Sequence, residues 1–363
     1  MKHIYIIDYL GVHCGMHYYL EAFKAQIKKI AGVHVQLLSN FSDDGNPPFF
    51  FNQYNGRLPA KLSSLLRNII NLRKFVRNNP DGLYIYLTYG NRFDPLFIML
   101  LINVDHIIDI HEAIAQNLDK NKILKNIYNR LYSKKIRKAI SHSGRTDDFL
   151  REFHYQGLTL KVPHFRYVFP KNYNKEHIAN DIKSSFSKDR INLLFFGNVN
   201  ESKGIDILLN AFNILPASVA EKSNIIIAGK DFDGKCHEVI PATGRNVNMI
   251  LRHINDDELV YAYTHADIVC LPYRKTSQSG ILEMAFYFQK PILASDIPYF
   301  REVLKEFPSF GKLACGTPDG YSSALCEFIE NFNTADFFKT EDYDRYTHRK
   351  AMDTFLDDFR KQL

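Results

Sequence analysis

Short apolar runs alternate with longer amphipathic stretches along the chain. In the first half, Lys2–Asp8, Val33–Leu38, Leu83–Leu87, Asp105–Ile110, Ala139–His142 and Thr159–Pro163 read as strands. Helices fill the intervals at His17–Ile30, Pro59–Arg77, Pro95–Ile102, the basic stretch 120–138, and Arg145–Phe153. The second half repeats the scheme, with strands at Ile191–Gly197, Ile225–Lys230, Val247–Leu251, Asp267–Tyr273 and Pro291–Ala294. Helices open at Lys203, Asp256 and Ile281 and span Tyr299–Lys305 and Tyr321–Phe332. Such alternation predicts two parallel, doubly wound α/β sheets. The polar stretch 167–190, rich in Asn, Lys and Ser, is the expected linker between a domain at 1–166 and one at 191–342. A last helix, about Tyr343 to Arg360, lies in the closing segment 343–363.

At 363 residues, 45% hydrophobic and 24% charged, the chain has room for two cores and is not a disordered protein. Its five cysteines are scattered, with no Cys-x-x-Cys pair and no His-Cys cluster at ligand spacing, which suits a reducing cytoplasm. No Asp-x-Asp pair stands in a site loop, so neither metal nor cofactor is expected. The formal charge is +6 and unevenly placed. Basic residues crowd the amphipathic helices at 61–77 and 120–138, among them Arg67, Arg73, Lys74 and Arg77 in one and Lys122, Arg130, Lys134 and Lys135 in the other. Such helices either lie on an anionic membrane or turn a solvated face outward over a core face. The chain starts on a strand pattern and has no apolar run long enough to span a bilayer, so peripheral attachment at the inner face of the plasma membrane is the form expected. Nothing matches a nucleic-acid-binding module.

The most informative stretch is Asp267–Ser295, DIVCLPYRKTSQSGILEMAFYFQKPILAS: strand, small polar loop, helix, strand. A loop of this kind at the end of a parallel strand binds ligands, and the helix N-terminus suits an anion. The stretch resembles the donor-binding segment of the family 4 (group 1) glycosyltransferases, in the branch with Tyr-Arg-x-x-Ser-Gln-Ser-Gly. That family more often carries Glu-Gly-Phe-Gly here and a second Glu eight residues after the first. Aligned on Gly280, those glutamates fall at Ser277 and Ala285. Gly197, Lys203 and Gly204 match the family's Gly…Lys-Gly loop, with Asn198 and Asn200 where it usually has Arg. The resemblance extends over nearly the whole chain, densest from Ile191 to Ser295. It implies the GT-B fold, two facing Rossmann-like domains with a terminal helix crossing back to the first. It also implies sugar transfer from a nucleotide-sugar donor to a lipid-linked or glycan acceptor in cell-envelope polysaccharide assembly. The alternative is a non-catalytic sugar-nucleotide-binding or regulatory subunit; a GT-B-shaped epimerase is a third class.

The resemblance implies roles for particular residues. Lys203 and the helix N-terminus at Ser279–Gly280 stabilise the diphosphate, with Gly15, Gly197, Ser277 and Gln278 around the donor. His253 and Ile254 meet the base through their backbone. Lys230 is either a nucleotide contact or a solvated strand-end lysine; Arg274 either replaces the missing loop Arg or is a surface residue. His111, at a strand's carboxyl end, is the catalytic candidate of the first domain. His13, His17 and Glu112 are acceptor-side candidates. Glu283, about 200° around the helix from the expected second Glu, should face away.

Overall fold

The computed structural model describes residues 1–11, 17–51, 58–90, 92–111, 121–162, 173–231, 234–238, 246–276, 278–349 and 353–363. The chain forms two compact units, Met1–Arg166 with Lys350–Leu363, and Tyr167–Arg349. The strands of the first are β1 (Lys2–Ile7), β2 (Val33–Leu38), β3 (Leu83–Thr88), β4 (His106–Ile110), β5 (Lys138–Ser141) and β6 (Leu158–Lys161). Its helices are α1 (His17–Ile27), α2 (Leu58–Asn78), α3 (Asp94–Leu101), α4 (Lys122–Lys134) and α5 (Gly144–Glu152). The strands of the second are β7 (Ile191–Phe196), β8 (Ser223–Ala228), β9 (Val247–Ile250), β10 (Ile268–Leu271), β11 (Ile292–Ser295) and β12 (Gly311–Ala314). Its helices run from α6 (Asn180–Ser185), α7 (Ile205–Asn213), α8 (Ala217–Ala220) and α9 (Lys235–Glu238) to α10 (Asp256–His265). They continue with α11 (Gly280–Tyr287), α12 (Pro298–Glu306), α13 (Pro318–Glu330) and α14 (Thr340–Arg349).

Both sheets are parallel. Their orders are β2-β1-β3-β4-β5-β6 and β12-β11-β10-β7-β8-β9, so the direction of winding reverses between β1 and β3 and between β7 and β10. Crossover helices cover both faces, which is why the central strands read as unbroken apolar runs. The first core is rich in tyrosine, whose hydroxyls need partners once buried. Tyr86 and Tyr128 meet this need by donating to the buried Asp94 carboxylate, each at 3.0 Å. The loop after β2 is tied to the same core, where Phe50 is buried while Phe51 stays exposed.

Three features depart from the sequence pattern. The closing helix expected as one is two: α14 belongs to the second unit, whereas α15 (Asp353–Arg360) packs on β6 and sets Phe355 beside Phe23 in the first. β12 was not expected, because an edge strand as short as Gly-Lys-Leu-Ala carries almost no apolar signal. The described part of the expected linker, residues 173–190, is folded onto the second sheet. Asn192 Nδ2 donates to Ser187 O (2.8 Å), and Asn192 Oδ1 accepts from Ser187 N (2.9 Å). Asn224 Nδ2 donates to Ser185 O (2.7 Å) and Asn192 Oδ1 (2.9 Å), and Asn248 Nδ2 to Asn224 Oδ1 (2.8 Å). The polar residues there are fasteners rather than solvated chain.

Asn224→Ala removes the middle of this amide row and strands buried donors and acceptors. A loss of about 1–3 kcal/mol is expected, read by calorimetry as a lower thermal midpoint of the second unit.

Candidate functional site

Ligands of doubly wound sheets sit at the carboxyl ends of the strands where the winding reverses. In the second unit that point lies between β7 and β10, and three glycines shape it. A Cβ on Gly204 (φ +64°) would lie 2.0 Å from Pro272 O, and one on Gly229 (φ +149°) 2.0 Å from Gly197 O. Only glycine allows these approaches. The loop after β7 therefore lies directly on the loop after β10, joined by Arg274 N donating to Ser202 O at 2.9 Å. The loop after β8 is held alongside, with Val199 N donating to Lys230 O at 2.9 Å.

The two expected cations separate here. Arg274 is committed: its guanidinium donates to both Asp206 oxygens (2.8 and 2.5 Å) and to Glu201 O (2.9 Å). The hydrogen bond from Arg274 holds the Asp206 carboxyl below, and the arginine itself above, its ordinary pKa. This fork clamps the two loops together, so Arg274 is a bracket rather than a replacement for the missing loop arginine. Lys203 instead lays its ammonium 3.8 Å from the centroid of the Tyr273 ring, and among the described residues no carboxylate pairs with it. A lysine over an aromatic face keeps most of its charge available.

α11 opens beside them. Ser279 caps it, its hydroxyl accepting from Leu282 N at 3.2 Å, and Gly280 begins its first turn. The N–H groups of a first turn and the positive end of the helix dipole favour an anion. Gln278 precedes the cap; Ser277 lies outside the described residues. Lys230 and His253 are exposed and Ile254 partly so, while His253 O accepts from Arg252 at 3.0 Å. Ala285 is fully buried, and Glu283 accepts a hydrogen bond from Tyr346 of α14 at 2.5 Å. Glu283 is thus a structural carboxylate turned into its own unit.

In the first unit, Asp8 ends β1 at the reversal point. It accepts from Leu10 N (2.9 Å), Gly11 N (3.0 Å) and the Tyr89 hydroxyl (2.7 Å), and burial pushes its carboxyl pKa up. His13, Gly15 and Glu112 lie outside the described residues. The His17 ring lies tilted against that of Tyr18, with centroids 3.9 Å apart.

His111 does sit at the end of β4, in company the sequence did not suggest. Asp109 and His111 are two apart and share a face of the strand. Asp109 pairs in register with Ile140 of β5, which brings His142 alongside. His142 Nε2 lies 2.6 Å from Asp109 Oδ1, its Nδ1 lies 3.1 Å from Val162 O, and the Tyr19 hydroxyl donates to Asp109 Oδ2 at 2.6 Å. His111 Nδ1 is 3.9 Å from Asp109 Oδ1, and its ring meets Tyr19 edge-on at 4.4 Å. Burial pushes the His111 pKa down. Burial pushes Asp109 up, but attraction to His142 and His111 and the hydrogen bond from His142 overcome it and hold the carboxyl well below its ordinary range. The available signals were Asp-x-His at one strand end and Ser-His-Ser at the next, which only the sheet order joins.

Residues 176–339, within the second unit, match the family model described as Glycosyl transferases group 1. A Klebsiella pneumoniae protein described as "Uncharacterized 41.2 kDa protein in cps region" is 23% identical over 264 residues, 69% of each chain. Among solved structures, sucrose-phosphate synthase from Thermosynechococcus elongatus superposes with a TM-score of 0.72 at 14% identity, covering 99% of this chain and 98% of that one. Anabaena Alr3699/HepE, solved in complex with UDP-glucose, gives 0.69 at 13% identity over 100% of both chains. At such identities the likeness is one of fold, the two-domain α/β GT-B class.

The position of Lys203 yields a direct test. A charge-assisted hydrogen bond to phosphate is worth about 1.5–3 kcal/mol, so Lys203→Ala should weaken nucleoside diphosphate binding about 10- to 150-fold. Titration calorimetry should find the plain nucleoside nearly unaffected. Equal weakening of both ligands would trace the loss to the fold.

Proposed function

We propose that the chain transfers a sugar from a nucleotide-sugar donor to a lipid-linked or glycan acceptor in cell-envelope polysaccharide assembly, as a hexosyltransferase that needs no metal at the diphosphate. One observation carries this reading. The family match falls on the unit whose winding reversal brings together an uncommitted lysine and a capped helix N-terminus. The relative in a cps region supports the polysaccharide setting, and the fold likeness to a UDP-glucose complex makes UDP-sugars the first donors to try. Lys203 and the first turn of α11 take the diphosphate charge as the leaving group departs. Gly197, Lys230, His253, Ile254, Gln278, Ser279 and Gly280 line the donor, with Arg274 holding the loops. His111 offers its ring to the reacting sugar or acceptor. A non-catalytic sugar-nucleotide-binding or regulatory subunit is the second reading, favoured by the buried Ala285 where the family's second carboxylate stands.

Thermal-shift screening against UDP-, GDP- and other nucleotide sugars, followed by turnover with lipid-linked acceptors, separates the two. A transferase is stabilised by one donor and consumes it. A binding subunit is stabilised but leaves it intact, and no stabilisation by any donor defeats both. Donor binding should persist in EDTA.

The acceptor side supports a lipid-linked substrate. No helix among the described residues is long and apolar enough to cross a membrane. In the first unit, however, α3 packs between α2 and α4, and Leu62, Leu66, Ile70, Met99 and Ile123 are each more than half exposed. Arg73 and Arg77 continue the Leu62–Leu66–Ile70 stripe of α2, and a shallow hollow of about 510 Å³ is lined by Ile70, Arg73, Lys74, Arg77 and Asn78. Apolar residues ringed by cations suit an anionic lipid surface, at about 1 kcal/mol per basic residue. Sedimentation with anionic vesicles should be strong at low salt and lost at high salt. Leu66→Asp with Arg73→Glu should abolish it, and undiminished binding to neutral vesicles would count against this face.

A further inference from the structure

We propose that Asp109, His111 and His142 form a binding site for one divalent transition-metal ion of the zinc class in the first unit. Their ligating atoms, one from each residue, all lie within 4.8 Å of one another. The side chains of Asp109 and His142 are fully buried and that of His111 nearly so. Two imidazoles and a carboxylate are the three-ligand set that leaves zinc a fourth position.

The surrounding contacts choose the ligating atoms. His142 holds Nδ1 against Val162 O at 3.1 Å, so Nδ1 donates there and Nε2 is turned toward Asp109. Asp109 spends Oδ2 on the Tyr19 hydroxyl at 2.6 Å, which leaves Oδ1 facing both rings. A backbone carbonyl behind a ligating histidine, and a hydroxyl behind a ligating carboxylate, are the supports a metal site needs. The same atoms also make a buried hydrogen-bonded pair, with the Nε2 proton where the ion would sit. Metal binding sends that proton to solvent. Tetrahedral zinc ligands stand roughly 3.3 Å apart, so the 2.6 Å contact opens and the 3.9 Å contact closes through small side-chain shifts.

If Nδ1 of His111 ligates the ion, Nε2 keeps its proton, so the site is compatible with the role given to His111 above. It does not depend on that role. The ion belongs to the first unit and the diphosphate cradle to the second, and none of the readouts below uses sugar transfer.

The test is metal binding by the full-length protein after exhaustive chelation and desalting. Zinc titrated against a chromophoric chelator should bind at one equivalent, and cobalt should give the intense visible bands of a four-coordinate ion. His142→Gln and Asp109→Asn should each abolish stoichiometric binding. Tyr19→Phe, which removes only a supporting contact, should weaken it about 10- to 100-fold. His177→Gln, at an exposed histidine, should change nothing. Circular dichroism and melting check that each variant folds; should Asp109→Asn fail, the wild-type cobalt spectrum and the other two variants decide. Wild-type protein that binds no metal at one equivalent, or His142→Gln that binds it undiminished, overturns the site and leaves a buried histidine–aspartate pair.

Discussion

The second unit depends on one close approach, the main chain of Gly204 against the carbonyl of Pro272. Any side chain at Gly204 would occupy the position of that oxygen. Because the two loops lie backbone on backbone, Arg274 reaches across to Asp206 and Tyr273 comes under Lys203. A cation left uncommitted at the end of a parallel sheet follows from a glycine that carries no chemistry of its own. The same logic holds at Gly229 and Gly197, where β8 meets β7. The proposed anion site is thus built from chain geometry first and charge second.

That order explains how Arg274 and Lys203 come to differ. Both are basic and both sit in site loops, and composition gives no ground for choosing between them. What separates them is Asp206, which lies in the first turn of α7 and faces the loop after β10 only because Gly204 has turned the chain. With a partner on both oxygens, the guanidinium is an internal strut. With only an aromatic face beside it, the ammonium keeps its charge for a ligand.

Much of the fold was legible because parallel strands buried on both faces advertise themselves as apolar runs. Eleven of the twelve strands fall where a strand is read from the sequence, and the four-residue edge strand β12 does not. Polar residues were read less well, since a sequence does not say whether an asparagine faces water or a carbonyl. The stretch before β7 reads as linker for that reason, although Asn192 and Asn224 fasten its backbone to the sheet. Glu283 could be placed from helical phase alone, although its partner Tyr346 could not. The loop between β10 and α11 stands out through its resemblance to known sequences, which encodes geometry that residue spacing by itself does not.

The histidine–aspartate cluster marks where linear reading stops. Metal and acid–base motifs are usually sought as short spacings, and Asp-x-His alone is too common to mean anything. Its third member arrives from β5, brought by a register in which Asp109 faces Ile140, and the fourth from α1. Buried charge of this kind is costly unless every lone pair and proton is met. Here Asp109 and His142 have theirs met by Val162, Tyr19 and each other. The two proposed sites are therefore built differently: the second unit exposes one charge on a frame of glycines, while the first buries charged and polar groups in a cage of partners. A change to the frame acts through loop position and falls on ligand binding. A change to the cage acts through desolvation and falls on the fold and on whatever the cage holds.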